Sequence, residues 1–586
     1  MIPMREARLL TFSTHDASEL HYRHWPATSP TETRRAIVMF HRGHEHSARL
    51  AHLVDELELP DCDFFAWDAR GHGLSPGARG DSPGFATSVR DVQTFIDHIG
   101  SVHHVAEENL AVVAQSVGAV IVSTWVHDYA PRIRALVLAS PAFEVKLYVP
   151  FARTGLTLMR ALRGNFFVNS YVKARFLTHD PERIRSYQQD PLIARAISVD
   201  MLLGLHEAGR RIVADAQAIQ VPTQLLVSGA DFVVERKPQL AFFERLGCLR
   251  KEKHILPGFF HDTLGERDRH QATGRVRRFI RHNFDTPMAR PSLLDADRIG
   301  PMCAEAEALA APVAPNSIQG CYWRAMHAGM HLGARLSHGL KLGIETGFDS
   351  GSTLDYVYQN TPTGLTVLGR KIDQLYLNAI GWRAIRPRKR HIEELLRVAI
   401  SRLRSSDEPV HIVDIAAGHG RYILEAVKGL EERPASILLR DYSDANVRHG
   451  SALIQANGLD EIARFIKADA FDQAGLAALS PRPTLAVVSG LYELFADNQL
   501  VGRSLAGLVD ALQPGGYLIY TGQPWHPQLK LIARALTSHR DGQAWVMRRR
   551  TQAEMDQLVA AAGLLKITQR IDDWGIFTVS LAQKPY

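Results

Sequence analysis

Two separate series of short apolar runs, each alternating with amphipathic stretches, constrain this chain more than any other feature. In the first series AIVMF (36–40), DFFAW (63–67), LAVVA (110–114), ALVLAS (135–140) and TQLLVS (223–228) recur within the first 285 residues. Runs of this length separated by helical segments read as strands of a mostly parallel sheet. The rhythm stops between about 141 and 215, where LYVPFARTGLTLMRALRGNFFV has a helical pattern and is unusually apolar, so this insertion is expected to cap the sheet. The second series begins at VHIVDIA (410–416) and continues through SILLRD, RFIKAD, TLAVVSG, GGYLIYT, KITQRI and FTVSLAQ. Seven strands with intervening helices indicate another α/β sheet.

Composition narrows the partners and the compartment. The 586 residues ask for more than one core, and 46% hydrophobic with 22% charged residues excludes disorder and fibrous repeats. A formal charge of +6 is too dilute to imply a polyanion, and no binding module stands beside the cations, so no nucleic acid is expected. Cys62, Cys248, Cys303 and Cys321 are far apart, with no C-x-x-C pair for zinc and too few for a disulfide framework. No metal is expected, and a reducing cytoplasm fits. The N-terminal MIPMREARLLTFSTHD lacks the apolar stretch of a signal peptide, and no segment reaches the roughly 18 apolar residues of a membrane span.

The strand LAVVA runs into Gln115-Ser116-Val117-Gly118, and AVIVSTWVHDY then reads as a helix. Strand, sharp turn and helix are the context of a nucleophile elbow, with small neighbours letting strand and helix approach closely; Ala114 stands where the first glycine is usual. A loop after an early strand, His41-Arg42-Gly43-His44-Glu45-His46-Ser47, is placed to supply a backbone N–H to an oxyanion. Gly229-Ala230-Asp231 follows TQLLVS, and Gly258-Phe259-Phe260-His261 follows EKHILP. The order Ser116, Asp231, His261 is the α/β-hydrolase order of nucleophile, acid and base.

HRGHEHS, DARGHGLS, QSVGA, SGADFVV and GFFHD, in that order, resemble the monoacylglycerol lipase and lysophospholipase branch of the α/β-hydrolases. The resemblance implies a serine ester hydrolase acting on a small-molecule or lipid ester. Ser116 would be its nucleophile, His261 the general base and Asp231 the group orienting the imidazole. It also implies an oxyanion hole from the backbone N–H groups of Val117 and Gly43. Arg42 and His44 depart from the family's glycines and bear on the shape of that hole. His46 and His72 are read as holding loops by hydrogen bonds, and Asp68 and Arg70 as a loop salt bridge. The same triad would also serve an acyltransferase, with an alcohol in place of water.

In the second half the strand HIVD ends in Asp414-Ile415-Ala416-Ala417-Gly418-His419-Gly420 before the helical YILEAVKGL. A glycine-rich turn between first strand and first helix lets the backbone approach a ligand, a dinucleotide as readily as another nucleoside. Asp414 precedes the glycines, Asp441 ends the next strand about twenty residues after Gly420, and Asp469-Ala470 ends the third. With Ser489-Gly490 and Pro514-Gly515-Gly516, the series over 406–586 resembles class I methyltransferases. The cofactor implied is S-adenosyl-L-methionine. The family pattern gives its methionine side to the loop of Asp414, Ala416, Gly418 and Gly420, with Ala416 at the first glycine position. It gives the ribose hydroxyls to Asp441 and the adenine to Asp469 and Ala470, with Ser489 after the fourth strand. Residues 318–405 interleave polar, Gly and aromatic residues too densely for a linker. They resemble the N-terminal extension of a poorly characterised group of bacterial methyltransferases, and read as a substrate-side lid or as closure of the sheet edge.

The expected organisation is an α/β-hydrolase domain at 1–285 with a helical cap at about 141–215, and a Pro- and Ala-rich linker at 286–317. The extension (318–405) and a Rossmann-like class I methyltransferase domain (406–586) follow. The basic runs Arg386–Arg390 and Arg548-Arg549-Arg550 are read as solvated faces, with an anionic membrane surface or a phosphate-bearing substrate as alternatives. The function expected is a cytoplasmic bifunctional hydrolase and methyltransferase working on lipid-like substrates, with peripheral contact at the inner membrane surface open. The alternative is a hydrolase fused to a non-catalytic cofactor-binding module, since no residue stands out as a base for methyl transfer.

Overall fold

The apolar runs form the strands of two sheets, and their connections set which loops meet. The computed structural model describes residues 5–170, 172–288, 290–540 and 542–586; the first four residues of the N-terminal stretch read above lie outside them. The chain divides into two compact units, one ending at Pro291 and the other beginning at Ser292.

In the first unit the strands are β1 (Arg8–Ser13), β2 (Glu19–Trp25), β3 (Arg35–Phe40), β4 (Cys62–Trp67), β5 (Leu110–Gln115), β6 (Ala135–Ala139), β7 (Phe167–Asn169), β8 (Ala196–Ser198), β9 (Thr223–Ser228) and β10 (Lys251–Leu256). Eight of them form one sheet in the order β1-β2-β4-β3-β5-β6-β9-β10, while β7 and β8 pair separately. From β4 onward the neighbours are parallel, whereas β2 runs antiparallel to both β1 and β4. This is the α/β-hydrolase fold. The strands β4, β5, β6 and β9 are buried along their whole length, which is why they read as continuous apolar runs. The insertion after β6 holds the helices Ala152–Arg163, Pro181–Gln189 and Val199–Ala214.

In the second unit β11 (His411–Asp414), β12 (Ser436–Asp441), β13 (Ala463–Lys467), β14 (Leu485–Val488), β15 (Tyr517–Gly522), β16 (Leu565–Ile571) and β17 (Thr578–Gln583) are ordered β13-β12-β11-β14-β15-β17-β16. All pairs are parallel except those of β17, which is antiparallel to both neighbours. That order is the Rossmann-like sheet of class I methyltransferases. Strand order reverses between β11 and β14, so the loops after these two strands diverge and leave a crevice. Of the stretch read as a linker, residues from 292 cluster with the second unit and include the helix Pro301–Ala310, whose Met302 is buried. Five further helices, from Ile318–Ala334 to Ile380–Ser405, precede β11. Among the described residues no helix is long and apolar enough to cross a membrane.

The basic runs are not the solvated faces expected of them. Arg548, Arg549 and Arg550 are 3%, 3% and 5% exposed. Arg548 pairs with Glu554 at 2.7 Å, Arg549 with Glu305 at 2.5 Å, and Arg550 donates to the Phe495 and Ala496 carbonyls. Arg388 is buried and Lys389 is paired with Glu393 and Glu425; of the first run's cations only Arg390 is exposed. Guanidinium groups satisfied inside the protein cannot meet a membrane surface. Asp68 and Arg70 likewise form no mutual bridge: Asp68 accepts from the backbone of Ser47 and Leu74, while Arg70 pairs with Asp16 and Asp91.

Candidate functional site

Ser116 sits between β5 and the helix Val117–Tyr129 with φ 56° and ψ −116°, a strained conformation for a non-glycine residue. The turn is sharp because Gly118 lies against the end of β3: a Cβ there would be 2.4 Å from the His41 carbonyl oxygen. Asp231 follows β9, and His261 follows β10. The structure brings the three together. Ser116 Oγ is 2.7 Å from His261 Nε2, and His261 Nδ1 is 2.8 Å from Asp231 Oδ2. Asp231 Oδ1 accepts from the backbone N–H groups of Val233 and Val234. Burial would raise this carboxyl, but the charge and hydrogen bond of His261 and those two N–H groups hold it below its ordinary value. Such a chain can move a proton from a serine hydroxyl to an imidazole whose other nitrogen is fixed by a carboxylate.

Gly43 packs directly against the Val117 side chain, so the two backbone segments expected to donate to an oxyanion are adjacent. Arg42 does not fill that space. It is 4% exposed, donates to Glu45 at 2.7 Å, lies 3.8 Å from Asp262 and stacks 5.3 Å from the Tyr187 ring centre. His44 takes a left-handed φ of 71° in place of glycine, and burial beside Arg42 lowers its imidazole to about 4, so it is neutral. His46 bonds to Asp190 and His72 to the Arg70 carbonyl, both within loops. Ser116, Val117 and His261 open into a cavity of about 520 Å³, walled from the insertion by Val145, Leu147, Leu156, Met159 and Leu202.

The second crevice is built at the end of β11. Asp414 is fully buried beneath the loop, accepting from the Tyr422 hydroxyl at 2.6 Å and from the Ala416 N–H at 3.2 Å. Burial, with the nearby Asp441 charge, raises its carboxyl to about 7. Gly418 donates its N–H to Asp441 Oδ2 at 3.0 Å, which ties the loop to the end of β12. The other Asp441 oxygen accepts from the Ser443 N–H and the Asn446 side chain. Gly420 has φ +71°, and a Cβ there would lie 2.4 Å from Leu439. Ala416, Gly418, Gly420 and Ser489 line one small space of about 30 Å³, together with Leu354, Tyr358 and Arg388 from the preceding helices. Asp355, on the helix Gly351–Gln359, pairs with Arg421 at 2.5 Å and so holds that helix over the loop. Asp469 is exposed, its carboxylate accepting from the Phe471 N–H, and Ala470 is buried in the core. Left-handed glycines, a carboxylate tied to them and a serine at the end of β14 are a donor set that fits a nucleoside-bearing cofactor; Asp414, Asp441, Asp469 and Ala470 do not line the enclosed part of the crevice, and Asp441 reaches it only through its bond to Gly418.

Beside it lies a cavity of about 230 Å³ whose polar groups sequence reasoning missed. Leu354 and Arg388 stand in the walls of both. Its lining is mostly apolar and aromatic, with Phe348, Trp382, Trp545 and Phe577 prominent, but it also carries Glu493, Gln523 and His526. No local motif marks these residues. The extension read as a substrate-side lid supplies Phe348, Leu354, Tyr376 and Trp382 to the wall, and for Glu493 the signal in reach was Ser489-Gly490, after which it falls in a short turn.

A family model described as "Putative methyltransferase" matches residues 276–584, and one described as "Serine aminopeptidase, S33" matches residues 31–268. The chain is 55% identical over 571 residues, 97% of both proteins, to "Uncharacterized protein YnbC" of Escherichia coli (strain K12). It is 23% identical over 241 residues, 41% of this chain and 85% of the relative, to a monoacylglycerol lipase of Mycolicibacterium smegmatis. A solved monoacylglycerol lipase of Paleococcus ferrophilus matches 47% of this chain and 99% of its own at 21% identity and a TM-score of 0.40.

Proposed function

Since the chain belongs to the family described as "Putative methyltransferase" and carries an α/β-hydrolase domain ahead of that match, we propose that it is a bifunctional enzyme. On this reading a serine ester hydrolase of the monoacylglycerol lipase type is joined to an S-adenosylmethionine-dependent methyltransferase. The observation that carries the hydrolase is the relay from Ser116 through His261 to Asp231, with heavy-atom distances of 2.7 and 2.8 Å, at the floor of an apolar cavity.

In the hydrolase, Ser116 Oγ attacks the ester carbonyl carbon as its proton passes to His261 Nε2. The N–H groups of Val117 and Gly43 stabilise the oxyanion, and His261 returns the proton to the departing alcohol, leaving an acyl-enzyme. Water, deprotonated by the same imidazole, then releases the acid. The apolar walls of the cap suit an acyl chain, which supports a lipid-like ester as substrate.

In the second unit the residues that would hold the cofactor are the loop Asp414–Gly420, with Gly418 and Gly420 giving close backbone approach, and Asp441 at the ribose. Ser489 would close the near wall, and it is the resemblance alone that assigns the adenine to Asp469 and Ala470, which do not line the enclosed crevice. The cofactor supplies an electrophilic methyl group; the protein positions it and excludes water.

The test is labelling by a fluorophosphonate probe and hydrolysis of short-chain p-nitrophenyl esters. Both should be present in the wild type and fall to background in Ser116→Ala, with S-adenosylmethionine affinity unchanged. Labelling that persists in the variant refutes Ser116 as nucleophile.

A further inference from the structure

The 230 Å³ cavity of the second unit holds buried polar groups that, among the described residues, have no partner. Glu493 is 8% exposed; one of its oxygens accepts from the Thr521 hydroxyl at 2.6 Å, while Oε2 has no donor. Gln523, 5% exposed, has an unpartnered amide nitrogen. Tyr376 Oη, Arg388 Nε and Trp545 Nε1 of the same lining are unpartnered too, and five such buried atoms in one cavity mark a place where a ligand completes the bonding. Arg388 lies 3.9 Å from Glu493 and stacks 4.9 Å from the Phe577 ring centre, so its charge already faces a carboxylate. His526 is neutral, since burial lowers its imidazole to about 4. Its Nδ1 accepts the Gln528 N–H at 3.0 Å, so its other nitrogen carries the proton and is a donor, not a base.

Resting on the methyltransferase reading above, we propose that this cavity is the methyl-acceptor site, that it takes a flat, neutral phenol, and that Glu493 accepts the phenolic proton. Ser489 lines the cofactor crevice, Gly490 lines this cavity and Arg388 lines both, so an acceptor here would adjoin the methyl group. Glu493 Oε2 asks for a donor, and the unpartnered donors of Gln523, Arg388 and Trp545 ask for an acceptor, so the ligand needs a group that does both, as a phenol hydroxyl does and a carboxylate does not. A phenol, with a pKa near 10, yields its proton to a carboxylate far more readily than an aliphatic alcohol does. Five aromatic side chains in the wall, those of Phe348, Tyr376, Trp382, Trp545 and Phe577, favour a ring over a flexible chain. In the reaction the phenolic O–H bond breaks and its proton passes to Oε2. The oxygen pair forms the new O–CH3 bond, and the breaking carbon–sulfur bond leaves its pair on sulfur. One phenol and one S-adenosylmethionine thus give one aryl methyl ether, one S-adenosylhomocysteine and one proton.

The experiment uses the full chain with naphthol, naphthoic acid and decanol as probes, read by tryptophan fluorescence and calorimetry with S-adenosylhomocysteine present, and by transfer of labelled methyl. Naphthol should bind at least about tenfold more tightly than naphthoic acid or decanol, a difference of about 1.4 kcal/mol. Glu493→Gln should keep S-adenosylmethionine affinity yet lose about a hundredfold or more in transfer at neutral pH. Its rate should climb about tenfold per pH unit towards the phenol's own pKa, near 10, and Glu493→Asp should retain more activity than Glu493→Gln. If the wild type binds no S-adenosylmethionine, the methyltransferase reading itself fails. If it binds the cofactor but prefers naphthoic acid or decanol, or binds naphthol without transfer, the acceptor class is wrong. A Glu493→Gln rate equal to wild type at neutral pH overturns the proton-acceptor role.

Discussion

Asp414 keeps a proton that an exposed aspartate would lose, because its carboxyl is buried under the loop and shares the neighbourhood of Asp441. Unfolded, it titrates near 3.8; folded, near 7. Between those values the native state holds a proton that the unfolded state has released, so this group's contribution to stability falls as pH rises through the window and is level above it. Asp414→Asn removes the titration. The melting temperature of the variant relative to wild type should therefore increase from pH 5 to pH 8, as read by calorimetry across that range; a difference that does not move with pH contradicts a neutral Asp414. Nothing in the sequence hints at this. An acid before a glycine loop is legible as a cofactor feature, whereas its protonation depends on burial and on Asp441 reaching it in space, which outweigh the hydrogen bonds of Tyr422 and Ala416.

At the scale of elements, what could be read was whatever repeats locally. Buried parallel strands announce themselves as apolar runs, and Ser116, Asp231 and His261 each follow one closely, so their convergence at one edge of a sheet was legible. β1 and β2 were not found: they form an antiparallel hairpin whose residues alternate between faces, and RLLTFS and ELHYRHW carry too many polar side chains to stand out. Arg548–Arg550 was misread for the opposite reason, since a basic run looks solvated until Glu554, Glu305 and the carbonyls of residues far along the chain are seen to enclose it. The glycine loop offers a test at this scale. Gly420→Ala adds a methyl group 2.4 Å from Leu439 at a left-handed φ, and should weaken S-adenosylmethionine binding at least about tenfold. Gly458→Ala carries similar backbone strain, with nothing within 4 Å of the added carbon, and should leave that affinity alone. Equal losses in both variants would mean that strain, not the shape of the loop, governs binding.

For the whole molecule, each unit has its own sheet, its own core and its own polar site, and the account joins two chemistries in one chain. The lipase-like cavity would release an acid from an ester; the aromatic cavity would methylate an unrelated acceptor, so the two sites need not pass a substrate between them. That both sites exist is the central claim, and native mass spectrometry of the full chain reads both at once. After exposure to a fluorophosphonate probe and S-adenosylmethionine, with NAD and NADP as competitors, the account predicts one covalent adduct and one bound S-adenosylmethionine per chain, with the adduct absent from Ser116→Ala and the bound cofactor retained there. A chain that takes up no adduct, or that holds a dinucleotide in place of S-adenosylmethionine, contradicts it.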